Sequence, residues 1–150
     1  MSIVRFLGSA LLAVGLAGAQ PAAAAAPTIV VSDAWVRATP PGAMAAAAYF
    51  VLTNSGALAD RLVEAHCDVA SEATVHVTAL VDGVYQMRDG ALEVPAHGTA
   101  RLSPQGSHLM LMGLHAPLRA GSAVALTLRF AHAGTVRVAV PVRPATGTEP

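Results

Sequence analysis

Two stretches near the end of the chain alternate apolar and other residues with a period of two. Val124, Leu126, Leu128 and Phe130 alternate with Ala123, Ala125, Thr127 and Arg129, and Val136, Val138, Val140 and Val142 with Arg137, Ala139 and Pro141. Successive side chains of a strand point to opposite faces, so this period gives each stretch one core face and one outer face. A helix would need apolar residues at every third or fourth position. No such stripe is sustained after Thr28; the run Ala43–Ala48 is short and alanine-rich and reads as the lead into a strand. The same pattern predicts strands at Thr28–Arg37, Ala46–Thr53, Asp60–Cys67, Ala73–Leu80, Gly83–Arg88, Ala91–Val94, Thr99–Leu102 and His108–Met112. Turn chemistry punctuates them at Asn54-Ser55-Gly56, Asp82-Gly83, Asp89-Gly90, Ala96-His97-Gly98, Pro104-Gln105-Gly106 and Ala120-Gly121. The expected fold class is all-β, a sandwich or a barrel. Pro141 has no N–H to give a ladder, so the last strand is expected at an edge or with that position facing outward.

At 150 residues the chain suits one domain with a real core. Apolar residues make up 54% and charged residues 12%, which excludes disorder for the bulk of it. There is no lysine, and nine arginines are spread from Arg5 to Arg143, so neither nucleic acid nor a polybasic membrane surface is an expected partner. The first residues read as an address. Arg5 precedes an apolar stretch from Phe6 to Ala19 and then the small-residue run Pro21 to Ala26, the order of a secretory signal peptide over residues 1–26. Cleavage is expected after Ala19 or a few residues later. No cysteine near that point could take a lipid, so no membrane anchor is expected after cleavage. Residues 27–143 then form the domain and residues 144–150 a disordered tail. Without Arg5, eight arginines face nine acidic residues, a net charge of −1 that steers partners only weakly.

Parts for covalent catalysis are missing. No Gly-x-Ser-x-Gly elbow and no phosphate-cradling glycine loop is present. His66 and Cys67 are adjacent on a strand and so point to opposite faces. Asp82, Asp89 and Glu93 lie at turns or outer positions and read as solvated charges. Cys67 is the single cysteine, which excludes an internal disulfide and a multi-cysteine zinc site. His66, His97, His115 and His132 lie near turns or strand ends and are expected to be exposed, and Met112 to be ordinary packing. The remaining candidates are His76, Met87, His108 and Met110. His76 projects away from the apolar face of Val75 and Val77. His108 and Met110 share one face, about 7 Å apart at the backbone by strand rise. A hairpin at Asp82-Gly83 returns Met87 toward His76. Singly, each reads as well as a packed methionine or a satisfied histidine. As a set, two neutral imidazoles and two neutral thioethers suit Cu(I), and thioethers cannot be lost to disulfides in an oxidising compartment.

These residues also carry a resemblance. Asp33-Ala34-Trp35-Val36-Arg37-Ala38-Thr39-Pro40-Pro41-Gly42, Ala46-Ala47-Ala48-Tyr49-Phe50, His76-x10-Met87-Arg88 and His108-Leu109-Met110-Leu111-Met112-Gly113-Leu114 resemble the periplasmic copper chaperone family PCu(A)C. The likeness spans roughly Ser32 to Val142. It implies a cupredoxin-like Greek-key β-sandwich, and a carrier rather than an enzyme. It implies one Cu(I) held near the surface by His76, Met87, His108 and Met110. It further implies a periplasmic location and delivery of copper to the copper centres of cytochrome c oxidase, alongside a Sco-type thioredoxin-like partner. Some members carry a methionine-rich and histidine-rich C-terminal extension; residues after Val142 contain neither type here. Two other readings stand beside this one, a metal-free β-sandwich interaction module and an electron-transfer cupredoxin. The latter needs a thiolate in a short cysteine-to-histidine loop, a spacing that Cys67 does not provide.

Overall fold

The computed structural model describes residues 28–145; the expected signal peptide and residues 146–150 of the expected tail lie outside them. Every predicted strand is present, and no helix occurs among the described residues. The strands are β1 (Ile29–Arg37), β2 (Ala45–Asn54), β3 (Asp60–Cys67), β4 (Ala70–Val81), β5 (Val84–Asp89), β6 (Leu92–Val94), β7 (Thr99–Leu102), β8 (His108–Leu114), β9 (Ala123–Phe130) and β10 (Gly134–Arg143).

They form a β-sandwich. One layer runs β5-β4-β8-β2-β1, and the other runs β10-β9-β3-β6. A short parallel contact, Val36 with Val142 and Arg37 with Arg143, links the two through β1 and β10. β2 uses Ala45–Ala48 to pair with β8 and Phe50–Thr53 to pair with β7, while β1 pairs along it from Ile29 to Val36.

The core lies between the layers and is built by the alternation read from the sequence. Val124, Leu126, Leu128 and Phe130 of β9 are buried, as are Leu109 and Leu111 of β8 and Phe50 and Leu52 of β2. Burying such side chains contributes about 1.5–3 kcal/mol each. Two buried polar side chains close the loops around this core. Asn54 Nδ2 donates to the Leu58 and Val94 carbonyls while its Oδ1 accepts from Gly56 N. Asp60 accepts from Arg61, His132 and Ala133 N–H, tying the start of β3 to the β9–β10 turn.

Pro141 is accommodated inside the strand order. The Val142 N–H donates to Ser122 O on the β9 side, so position 141 faces the other way, where β1 pairs only from Val142 onward. The missing donor therefore falls where no ladder bond is needed.

Candidate metal centre

Three adjacent strands, β5, β4 and β8, carry the four candidate residues, and their registers decide which side chains meet. β4 and β5 join through Asp82-Gly83, with φ of 50° and 80°. Two positive φ angles make the primed two-residue turn whose twist matches a hairpin. This turn sets Val81 opposite Val84, and the pairing then places Thr78 opposite Met87 and His76 opposite Asp89. On the other side of β4, His76 lies opposite His108 and Thr74 opposite Met110. Paired residues share a face, and residues two apart on one strand share it as well. Thr74, His76, Thr78, Met87, Asp89, His108 and Met110 therefore occupy one face of the outer layer. The opposite face of the same strands carries Val75, Leu109 and Leu111 in the core.

His76 is the centre of this patch. Its ring stands edge-on to that of His108, with centroids 5.2 Å apart and planes at 69°. Met110 neighbours His108 along β8 and is diagonal to His76 across the ladder. Met87 is diagonal to His76 on the other side, over Thr78. By ladder spacings the two methionines lie about 16 Å apart at the backbone, at opposite corners of the patch. The structure thus brings His76, His108 and Met110 together as neighbours. Met87 joins them on the same face but sits on the edge strand, 54% exposed. The cause is the hairpin: a two-residue turn at 82–83 puts residue 89, not residue 87, opposite His76.

Both imidazoles have a second partner. His108 Nδ1 lies 3.2 Å from the Gly106 carbonyl, which can only accept, so the neutral ring carries its hydrogen on Nδ1 and keeps the Nε2 lone pair. His76 Nε2 lies 3.0 Å from Asp89 Oδ1. Asp89, expected as a solvated charge, is thus paired to a candidate ligand while its own side chain stays 73% exposed. Only the hairpin register could have revealed this, since an acid before a turn glycine looks the same in sequence whether it is paired or free. Ser107 Oγ accepts from Thr78 N at 3.1 Å, pinning the start of β8 against β4, while Thr78 Oγ1 is buried without a partner.

Met110 also forms part of the wall of an open cleft of about 400 Å³ with Arg37, Pro40, Ala47 and Tyr49. Met112 departs from the expectation of packing. It shares the face of Met110 and is 45% exposed, because its cross-strand partners are Ala45, too small to cover it, and the exposed Glu72. His66, His97, His115 and His132 are exposed as expected. Cys67 is buried on β3, in the other layer, and burial pushes its thiol above the ordinary range. Among the described residues no group of three or more His, Cys, Asp or Glu could hold a metal ion. A soft ion on this face therefore depends on the thioethers as well as the two imidazoles.

The family profile described as "Putative lipoprotein LpqE-like" matches residues 29–142, nearly all of the described sandwich. The chain belongs to the LpqE-like family. Another protein similar to this LpqE-like chain is "Putative lipoprotein Lxx21020" of Leifsonia xyli subsp. xyli (strain CTCB07), 39% identical over 133 residues that cover 87% of this chain and 79% of the relative. Among solved structures, the Cu(I) form of DR1885 from Deinococcus radiodurans is 35% identical, with a TM-score of 0.63, covering 82% of this chain and 83% of that one. Its apo form is 33% identical, with a TM-score of 0.62, covering 95% and 97%. The copper-bound PCuAC domain of PmoF2 is 26% identical, with a TM-score of 0.68, covering 81% and 97%. The LpqE-like sandwich therefore shares its fold with PCuAC domains, the family whose resemblance the His76-x10-Met87 and His108-x-Met110 motifs carry.

Proposed function

We propose that this protein is an exported Cu(I) carrier rather than an enzyme, that His76, His108 and Met110 hold the ion, and that Met87 joins them as the fourth ligand when the β4–β5 edge hairpin bends toward them. The observation that carries this reading is the register that sets His76 opposite His108 with Met110 beside them, on a face open to solvent. The donor set fits a soft monovalent ion: two neutral nitrogens and two thioethers, with no thiolate that oxidation could remove. Met87 on the edge strand is the ligand best able to come and go, and handover by ligand exchange needs such a group. The likeness to copper-bound PCuAC domains supports the same cargo. From the resemblance we further propose a periplasmic location, delivery to the copper centres of cytochrome c oxidase, and a Sco-type partner. An electron-transfer role is disfavoured because Cys67 is buried on β3, away from the face that carries the candidate ligands.

The test is Cu(I) competition against a chromophoric chelator. The wild type is expected to withdraw one equivalent of Cu(I). Met110→Leu should weaken binding most, Met87→Leu less, and Met112→Leu least. If Met110→Leu and Met87→Leu both leave affinity unchanged, the carrier reading is lost and a metal-free interaction module takes its place.

A further inference from the structure

We propose that Asp89 is a positioning residue for copper binding: by accepting a hydrogen bond from His76 Nε2, it makes Nδ1 the metal-binding nitrogen of His76, whereas His108 binds through Nε2. The inference rests on the carrier reading and deepens it.

A neutral imidazole has one N–H and one lone pair, and the partner of one nitrogen decides which is which. At His108 the Gly106 carbonyl takes the Nδ1 hydrogen, leaving Nε2 as the donor to a metal. At His76 the arrangement is reversed. Asp89 Oδ1, 3.0 Å away, takes the Nε2 hydrogen, leaving Nδ1. The two rings face each other across one pair of the β4–β8 ladder, and they offer opposite nitrogens.

Asp89 owes this place to the chain's own turn. The Asp82-Gly83 hairpin sets residue 89 directly opposite His76, and the carboxylate lies on the same sheet face as the ring. As a contribution to stability this contact is worth little, because Asp89 is 73% exposed and solvent screens it. Its effect is to choose a tautomer and hold a ring. A carboxylate behind a metal-binding histidine raises ligand basicity and orients the ring, and losing such a partner costs roughly 10–100-fold in affinity. At this exposed position we expect the lower end of that range, about tenfold.

The experiment is two-bond 1H–15N correlation spectroscopy of uniformly 15N-labelled full-length protein at pH 8, apo and after one equivalent of Cu(I), which is diamagnetic. It is paired with chelator competition on the wild type, Asp89→Ala and the charge-matched control Glu93→Gln. The proposal expects apo His76 as the Nε2–H tautomer and apo His108 as the Nδ1–H tautomer. On loading, the shift changes of metal ligation should appear at His76 Nδ1 and His108 Nε2. Asp89→Ala should mix the His76 tautomers and weaken Cu(I) binding about tenfold, while Glu93→Gln changes neither. Ligation through Nε2 of both rings, or an Asp89→Ala affinity equal to wild type, overturns the proposal while leaving the carrier reading intact. A wild type that takes no Cu(I) at all overturns the carrier reading, and the role of Asp89 falls with it.

Discussion

Asp60 offers a perturbation that separates the fold from the site. The residue is 3% exposed, and its carboxylate accepts three backbone N–H groups, from Arg61 at 2.7 Å, His132 at 3.0 Å and Ala133 at 2.7 Å. Hydrogen bonds to a charged acceptor contribute about 1.5–3 kcal/mol each, so three donors left wholly unsatisfied by Asp60→Ala would cost between a lower bound of roughly 4.5 and an upper bound of roughly 9 kcal/mol. The true loss is expected at or below the lower bound, because the cleft lined by Ala59, Asp60, Arg61, Glu93 and His132 lets water reach the freed donors. About 3 kcal/mol is the resulting expectation, a fall in Tm of roughly 10 °C for a domain of this size. Burial alone would raise the pKa of Asp60, but the three donors and the nearby His132 outweigh it and hold it below the ordinary carboxylate value. The stabilisation from a depressed carboxylate is complete above the unfolded value near 4 and is lost as the pH falls through the folded one. Asp60→Asn keeps the shape without the charge, so its deficit relative to wild type should shrink as the pH is lowered below about 4. Urea denaturation followed by circular dichroism from neutral to acidic pH measures both effects. The Cu(I) affinity of Asp60→Ala at a temperature where it is folded should match wild type. An Asp60→Ala within 1 kcal/mol of wild type, or a deficit of Asp60→Asn that grows in acid, refutes the reasoning.

Three further outcomes follow from the site. Cu(I) affinity should fall as the pH is lowered, because both imidazoles must be deprotonated to bind and a thioether has no proton to lose; chelator competition across pH measures it, and a flat profile removes the histidines from the site. Limited peroxide treatment should convert the exposed Met87 to its sulfoxide before the half-buried Met110 and weaken loading, as read by peptide mass spectrometry alongside copper competition. The Cys67 thiol, buried and raised in pKa, should react with a thiol reagent only slowly in the folded protein and at the ordinary rate in denaturant, and Cys67→Ser should leave copper affinity unchanged.

The sandwich was legible because its strands keep strict alternation where they face the core. From Ala123 to Val142 the apolar phase alone names the buried face, and β9 and β10 follow it residue by residue. The candidate metal patch was legible in its residue types and in the shared face of His108 and Met110. Pairing across strands was not, since period two says which face a residue takes and not which residue lies opposite. Asp89 is the clearest case. Its partner is fixed by the turn at Asp82-Gly83 through a ladder of six pairs, from Val81 with Val84 to His76 with Asp89. Met112 escapes the packing expected of it for the same reason: it has the phase of Met110, but the small Ala45 and exposed Glu72 across the ladder leave it uncovered.

Register also explains why Gly113 stands where it does, and here a substitution reaches the site through the backbone. Gly113 has a φ of +63°, and a Cβ there would lie 2.9 Å from Ser71 Oγ and 3.0 Å from Ser71 Cβ. Ser71 in turn donates to the Gly113 carbonyl at 3.2 Å, bracing the end of β8 against the start of β4. The same two strands, a few residues along, set His76 opposite His108. Gly42 is an internal reference, with a φ of +81° and nothing within 4 Å of an added Cβ. Gly42→Ala therefore isolates the backbone cost, about 1–2 kcal/mol. Gly113→Ala adds a collision between two ladder strands, which brings it to roughly 3 kcal/mol and pushes β8 away from β4. Ser71→Ala in that background removes the Oγ collision but not the Cβ one, so it should restore part of the loss. Cu(I) affinity should fall with Gly113→Ala and not with Gly42→Ala, because only the former strains the pairing that holds the two imidazoles 5.2 Å apart. Equal stability and equal copper affinity for the two variants would show that the β4–β8 contact does not set the geometry of the site.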